Sequence, residues 1–375
     1  MRTKGVYATL LIVAAAGLAA CSSAVPTTVT APTESGSAFN LEALTEAAQA
    51  EGSLTLYADS TESVLRGWSD GFTKEYGIPV TILRNTAAPL YQQFAQEQSA
   101  GQAIADVFGV VDAATMADAR ENGWIAQYTP QNSDLLSKDL GDPGYYWALQ
   151  SSTQQTVTYN PDNVTEDEVE LILKDPVKAM TDPRFAGRVG VVQPQVSQGV
   201  GAFWYLYSDG AAAANVGWDG LEDIADNTAM IADNLTLVQN VIQGEIDFAF
   251  PIVDSIPAAQ IVQNGAPLQF AYATPATGSS ALTGIVADAP HPNAARLFLE
   301  WAAEPDANSL WSKLSQTAPI NAEATDGREF TDLDWYQPAG DDTWFDFGTD
   351  PEFLAAISAD GDYFDRWNEM FGYTG

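Results

Sequence analysis

The chain has 375 residues, a formal net charge of −35, one cysteine and one histidine. So acidic a chain is repelled by nucleic acid and by anionic lipid, and one thiol with one imidazole excludes structural disulfides, zinc–thiolate centres and multi-histidine metal sites. The bulk charge reads as a solvated surface, and the length exceeds one ordinary hydrophobic core, so about two lobes are expected.

Arg2 and Lys4 precede an apolar run from Gly5 to Ala20. That run has the length of a signal-peptide core and is shorter than the ~20 residues that span a bilayer. It ends in Leu18-Ala19-Ala20-Cys21, with the chain's only cysteine, and resembles the bacterial lipobox. The resemblance implies a lipoprotein signal peptide over 1–20 and a lipid-modified Cys21 as anchor. Residues 21–39, rich in Ser, Thr, Pro, Ala and Val, read as a flexible tether. No later segment is long and apolar enough to span a membrane, so contact with the membrane is expected through the lipid alone, on its extracytoplasmic face.

Beyond the tether, Leu41, Leu44 and Ala48 predict a helix from Asn40 to about Ala50, which Gly52 ends. Leu54–Tyr57 reads as a strand. Val64, Leu65, Trp68 and Phe72 then predict a helix stopped by Gly77, and Val80–Leu83 a second strand. Leu90 and Phe94 mark another helix, ended near Gly101. The apolar run Ile104–Val111 suits a strand buried on both faces. Asp112 is placed to cap a helix that Gly123 ends. Strands alternating with such helices predict α/β architecture with parallel strands.

The pattern then restarts. Thr156–Tyr159 and Val189–Val192 read as strands, and a helix begins near Gly199. Leu235, Val238 and Ile242 mark a helix up to Gly244. Ile246–Phe250 is a strand, Ala258–Asn264 a helix, Leu268–Tyr272 and Leu282–Val286 strands, and Pro292–Ala303 a helix. Beyond Asn321 the pattern weakens into a segment rich in Asp, Trp and Phe.

Several segments together resemble the bacterial extracellular solute-binding family that includes the ferric-iron-binding proteins. They are Glu51-Gly-Ser-Leu-Thr-Leu-Tyr57, Phe72 through Gly77-Ile-Pro-Val80, Ala105-Asp-Val-Phe108, Asn122-Gly-Trp124 and Tyr159-Asn-Pro161. Asp182-Pro-Arg-Phe-Ala-Gly-Arg-Val-Gly190, Gly244-Glu-Ile-Asp247 and Ala289-Pro-His-Pro-Asn-Ala-Ala-Arg-Leu-Phe-Leu299 follow in the same order. The ordered set covers about 45–320. It implies a type II periplasmic-binding-protein fold, with two α/β lobes joined by crossing hinge strands and a ligand cleft between them. Lobe 1 would combine 40–152 with 273–320, lobe 2 would span 153–272, and the acidic segment 321–375 would pack on the lobes. The function implied is that of the solute-binding component of an ABC importer, not an enzyme. It would work as a monomer without cofactor, closing on a small solute and delivering it to the permease subunits.

In open α/β sheets ligands bind beyond the carboxyl ends of strands. On that fold the candidates are Asp59, Ser60 and Thr61, then Asp112, Ser197 to Gly201, Asp254 and Tyr272. In the second stretch, Ser197, Gln198, Gly199 and Gly201 precede a helix whose free N–H groups could hold a phosphonate, phosphate or carboxylate, and Arg84 could add a charge-assisted contact. The three aspartates could face an ammonium group covered by Trp147, Trp204 or Tyr272 through cation–π contact. An amine-bearing or zwitterionic solute is therefore expected, such as an aminophosphonate, a polyamine or a thiamine-like cation. The ferric proteins hold iron through adjacent tyrosines, with a histidine and an acidic residue from lobe 1. Here Pro251-Ile-Val-Asp254 stands where the tyrosine pair would fall, Thr61 stands near the histidine position, and only Asp112 matches the acidic one. Iron carried with an anion or chelator is the alternative cargo. Two other classes compete with this one. A secreted hydrolase would need His291 or a carboxylate pair, and a calcium-dependent adhesion module would need Asp332, Asp334, Asp341, Asp342, Asp346, Asp360 and Asp362.

Overall fold

A computed structural model describes residues 39–375 except 139, 151–152, 276–277, 340–346, 348–349, 359 and 375. The signal segment, Cys21, the tether, and Asp341, Asp342 and Asp346 lie outside the described residues. Leu41–Gly375 is a unit distinct from Met1–Asn40.

The chain opens as α1 (Leu41–Glu51), β1 (Leu54–Ala58), α2 (Glu62–Tyr76), β2 (Val80–Arg84), α3 (Ala87–Ser99), β3 (Val107–Val110) and α4 (Ala113–Glu121). Gly77 ends α2 at φ 74°, the left-handed turn that glycine adopts at least cost. The Asp112 side chain caps α4 by accepting the Thr115 N–H at 2.9 Å. There follow β4 (Gly141–Asp142), β5 (Tyr146–Ala148), β6 (Thr153–Tyr159), α5 (Glu166–Lys174), α6 (Pro176–Ala179), β7 (Val189–Val191), α7 (Gln198–Ser208), α8 (Gly217–Asn227) and β8 (Thr228–Ile231). Then come α9 (Asn234–Gln243), β9 (Phe248–Val253), α10 (Ser255–Asn264), β10 (Gln269–Tyr272), β11 (Gly278–Ser279), β12 (Leu282–Ile285), α11 (Pro292–Ala302), α12 (Pro305–Ser315), α13 (Pro351–Ala356) and α14 (Tyr363–Phe371).

The strands form two sheets, ordered β2-β1-β3-β12-β5-β4 and β10-β6-β9-β7-β8, with β11 beside β6. The sequence predicts parallel strands, but each sheet is mixed. β1 runs parallel to β2 and β3 and β7 parallel to β8 and β9, whereas β12 is antiparallel to β3 and β5, and β6 to β9 and β10. The reason is topological. β6 and β12 are the strands that enter each sheet from the other one. Each therefore starts at the edge where its neighbours end and runs the opposite way.

Helices cover both sheets. In the first lobe Trp68 of α2 lies between Phe298 and Trp301 of α11 and Trp311 of α12, with ring centroids 5.1–5.3 Å apart. In the second, Trp204 of α7 packs on Phe250 of β9 and on Trp367 and Phe371 of α14. The acidic C-terminal segment thus supplies core to the second lobe: Phe347, Phe353, Tyr363 and Trp367 are buried there, and Phe330 joins Ala258, Phe270 and Tyr272 in a separate cluster.

Candidate functional site

The register of the first sheet brings the ends of β1, β2, β3 and β5 and the start of β12 to one edge, since Ala58 faces Gly109 and Arg84, and Leu282 faces Val110 and Ala148. Asp59, Ser60, Arg84, Asp112, Gln150 and Ser280 follow from those ends. Asp59 Oδ2 accepts the Val111 N–H at 3.1 Å, while Oδ1 is buried with no partner among the described residues. Burial pushes this carboxyl up to about 6, against the Val111 N–H and Arg84, which lower it. Ser60 Oγ donates to Gln150 Oε1 at 3.0 Å. Gln150 Nε2 and Ser280 Oγ are buried and unpartnered among the described residues. Gln150 has no counterpart among the sequence candidates.

Arg84, exposed, donates to the carbonyls of Ser60 and Asp59 at 3.2 and 3.3 Å, so it braces the β1 end. Thr61 is exposed at the start of α2 and makes no capping bond.

At the second sheet, the ends of β7, β9 and β10 share an edge with the start of β6. Asp254 follows β9 and is 2% exposed. It accepts the Gln154 N–H at 3.2 Å and the Tyr272 hydroxyl at 3.3 Å. Burial raises its carboxyl to about 7, against the Gln154 N–H, Arg328 and Tyr272. Tyr272, raised by its own burial and by Asp254, stays a protonated donor. Arg328 Nη1 donates to the Tyr272 oxygen at 3.2 Å; the one sign of it in sequence is a lone arginine within an acidic stretch.

The first turn of α7 is not the open anion nest that the sequence suggests. The Ser197 side chain accepts the Val200 N–H at 3.3 Å, and the Ser197 carbonyl accepts the Gly201 N–H at 3.0 Å. A Cβ at Gly199 would lie 3.6 Å from Phe347 Cζ and 3.7 Å from Gln155 Nε2, and one at Gly201 would lie 3.2 Å from the Pro194 carbonyl. These glycines admit close packing, and two of the donors needed for an anion are taken. Gln198 keeps a buried Oε1 without a partner among the described residues.

The two tryptophans are core residues. The Trp147 indole donates to the Tyr128 carbonyl at 3.0 Å, and the Trp204 indole to the Val192 carbonyl at 2.8 Å. Both rings are buried against their own lobe and have no face left for a cation. Of the three aromatic candidates, Tyr272 alone stands at a strand end beside an acidic group.

His291 has a triad-like surrounding: Ser53 Oγ lies 3.1 Å from Nε2 and Asp106 Oδ2 3.0 Å from Nδ1. Its neighbours argue against acyl transfer. An oxyanion needs free N–H donors, yet Glu51 accepts the Asn293 and Ala294 N–H groups at the start of α11, and Ser53 follows the carbonyl end of α1. Asp106, fully buried, also accepts the Thr55 and His291 N–H groups at 2.7 and 2.6 Å. The constellation pins β1, β3 and α11 together. No group of three or more His, Cys, Asp or Glu that could hold a metal occurs among the described residues, Asp332, Asp334, Asp360 and Asp362 included.

The chain is 26% identical over 270 residues, 68% of its own length and 75% of the relative's, to a protein described as "Fe(3+)-binding periplasmic protein" from Serratia marcescens. Iron-bound HitA from Pseudomonas aeruginosa superposes with a TM-score of 0.58 at 20% identity, covering 73% of this chain and 88% of that one. The periplasmic binding protein AfuA from Actinobacillus pleuropneumoniae, with fructose-6-phosphate bound, gives 0.60 at 18% identity, covering 86% and 99%. These two likenesses show the two-lobe periplasmic-binding-protein fold. The bacterial extracellular solute-binding protein family matches residues 68–365; the chain therefore belongs to that family, the solute-capturing components of ABC importers.

Proposed function

We propose that this protein, anchored through a lipidated Cys21 on the outer face of the cytoplasmic membrane, captures an amine-bearing or zwitterionic solute between the two sheet edges and hands it, as a monomer, to an ABC permease. One observation carries the solute class: Asp59 Oδ1 and Gln150 Nε2 are buried and unpartnered among the described residues at one edge, where Ser60, next after Asp59, donates to Gln150 Oε1. A buried carboxylate oxygen without a donor and a buried amide without an acceptor each cost about 1–3 kcal/mol until something meets them. A solute that carries a cation beside an acceptor meets both at once. Asp254 and Tyr272 on the opposite edge favour the same cation, and lobe closure would complete its shell.

The test is a thermal-shift and calorimetric screen with aminophosphonates, polyamines and thiamine, with ferric citrate and a sugar phosphate as controls. Binding of a cationic solute should weaken as pH falls through about 6, where Asp59 takes up its proton. A response to neutral sugars or anions alone would refute the solute class.

A second reading has its own support. The Serratia relative and the Pseudomonas structure carry iron in their names, and Asp59 and Asp254 are hard oxygen donors. No three such carboxylates lie together among the described residues, so a chelating anion would have to supply most of the shell of Fe³⁺. A shift with ferric citrate and none with the amines would decide for iron.

A further inference from the structure

The chain crosses between the lobes after β5 and again between β10 and β12. It also crosses a third time. After α12 it stays fastened to the first lobe: Asn321 donates to the Ala303 carbonyl at 2.9 Å, Ala322 to the Leu135 carbonyl at 2.9 Å and Thr325 to Ser309 Oγ at 2.8 Å. Gly327 donates to Ser312 Oγ at 3.0 Å and Glu329 to Gln316 Oε1 at 2.8 Å. α12 in turn packs on α2, so closely that a Cβ at Gly71 would lie 2.7 Å from Leu310 Cδ2. One residue after Glu329, the Phe330 ring lies against Phe270 of β10, 5.3 Å between centroids, in the second lobe.

Arg328 sits on this crossing. Asp326 holds its guanidinium through Nε and Nη2, the latter at 2.7 Å, and Phe330 and Tyr336 lie 5.6 and 5.5 Å from its centre. Its remaining arm, Nη1, reaches the Tyr272 oxygen, and the Tyr272 hydroxyl reaches Asp254. The residues on either side of Arg328 are thus tied to the first lobe through Ser312 and Gln316, while its guanidinium, lying on Phe330 and Tyr336, ends a hydrogen-bond chain that begins at the Asp254 carboxyl of the second.

We infer that residues 325–330 are a third connection between the lobes, and that Arg328 is a positioning residue of the cleft, holding the Tyr272 hydroxyl on Asp254 and so tying the charge of Asp254 to the angle between the lobes. Opening the lobes draws Arg328 away from Tyr272, which frees the phenol to turn from Asp254. A cation bound at Asp254 favours the anionic carboxylate, and with it the closed arrangement. The inference rests on the cleft being the solute site. Among the described residues the charged and titratable groups around Asp254 are Tyr272 from β10, Arg328 and Asp326 from the crossing segment, and Tyr336 beyond it.

The test uses the full chain without solute. The titration of Asp254 is followed by infrared difference against Asp254→Asn, and the lobe angle by small-angle scattering. Arg328→Gln should raise the Asp254 midpoint by about one pH unit and enlarge the radius of gyration. Tyr272→Phe, which leaves the Arg328–Asp326 pair intact, should move both in the same direction. Arg328→Lys, the gentler change should glutamine fail to fold, keeps the charge without the fork; it should hold the midpoint nearer to wild type while still loosening the lobes. An unmoved midpoint in Arg328→Gln and Tyr272→Phe, or an unchanged radius in all three variants, overturns the inference. Since no solute is used, such a result leaves the cleft reading standing, and a failed solute screen leaves this one standing.

Discussion

Replacing Asp254 by asparagine keeps the shape of a buried side chain and removes the charge that burial opposes. The folded carboxyl titrates at about 7 against an ordinary 3.8, so between those values the folded state keeps a proton that the unfolded chain has released. Stability therefore falls as pH rises across that window and stays at the lower level above it. About 3 units at 1.36 kcal/mol each give about 4 kcal/mol. Asparagine has nothing to ionise: its Oδ1 can keep the Gln154 N–H, and its amide can donate to the Tyr272 oxygen. The variant should match wild type near pH 4 and exceed it at pH 8 by up to about 4 kcal/mol, while losing affinity for a cationic solute. Urea unfolding followed by tryptophan fluorescence, at steps from pH 4 to 8, reads the difference directly. A gap between the two proteins that does not change with pH, or a wild type more stable at pH 8, would show that desolvation of Asp254 is not the governing effect.

Gln150→Leu removes the unpartnered amide together with the acceptor of Ser60 Oγ, so it should change the stability of the solute-free protein little while weakening a zwitterionic solute at least tenfold, measured by calorimetry. Trp204→Ala should lower stability by about 3–5 kcal/mol and leave the solute preference unchanged in the same thermal-shift screen, since the ring is core. Cys21→Ser should move the protein from the membrane fraction to the soluble extracytoplasmic fraction, and mass spectrometry should find no acyl chains on it.

Much of the α/β order was legible because its signals are local. Gly77 and Gly244 end helices in the left-handed conformation, Asp112 caps one, and the apolar run at β3 marks a strand buried on both faces. The strands that escaped notice lack such punctuation. β8 begins at Thr228 directly after α8 ends at Asn227, with no turn residue between them, and β5 is only three residues long. The mixed pairing was not legible either, since strand direction depends on where the chain crosses between lobes. At the site, Asp59 and Asp254 follow from strand ends alone. Gln150 owes its place to a pairing of β5 with β12, more than a hundred residues later, and Arg328 to a tail crossing that no periodicity announces. The indoles were misjudged for a related reason: composition does not tell a ring facing the cleft from one facing the core.

The interleaving of the two lobes also governs when each can fold. β12 lies between β3 and β5, so the first sheet has a gap at its centre until the chain has been made past Ile285. The second lobe waits longer, because Trp367 and Phe371 close over Trp204 only when the last residues arrive. Contacts this far apart in sequence make for late, cooperative folding. A chain whose first core waits for β12, α11 and α12, and whose second waits for α14, stays threadable through a narrow export channel for most of its synthesis. Ending it before Tyr363 is expected to strip Trp367 and Phe371 from the Trp204 ring and leave it only Phe250 and Phe203, and such a truncation should be cleared by proteolysis instead of accumulating as a one-lobed protein.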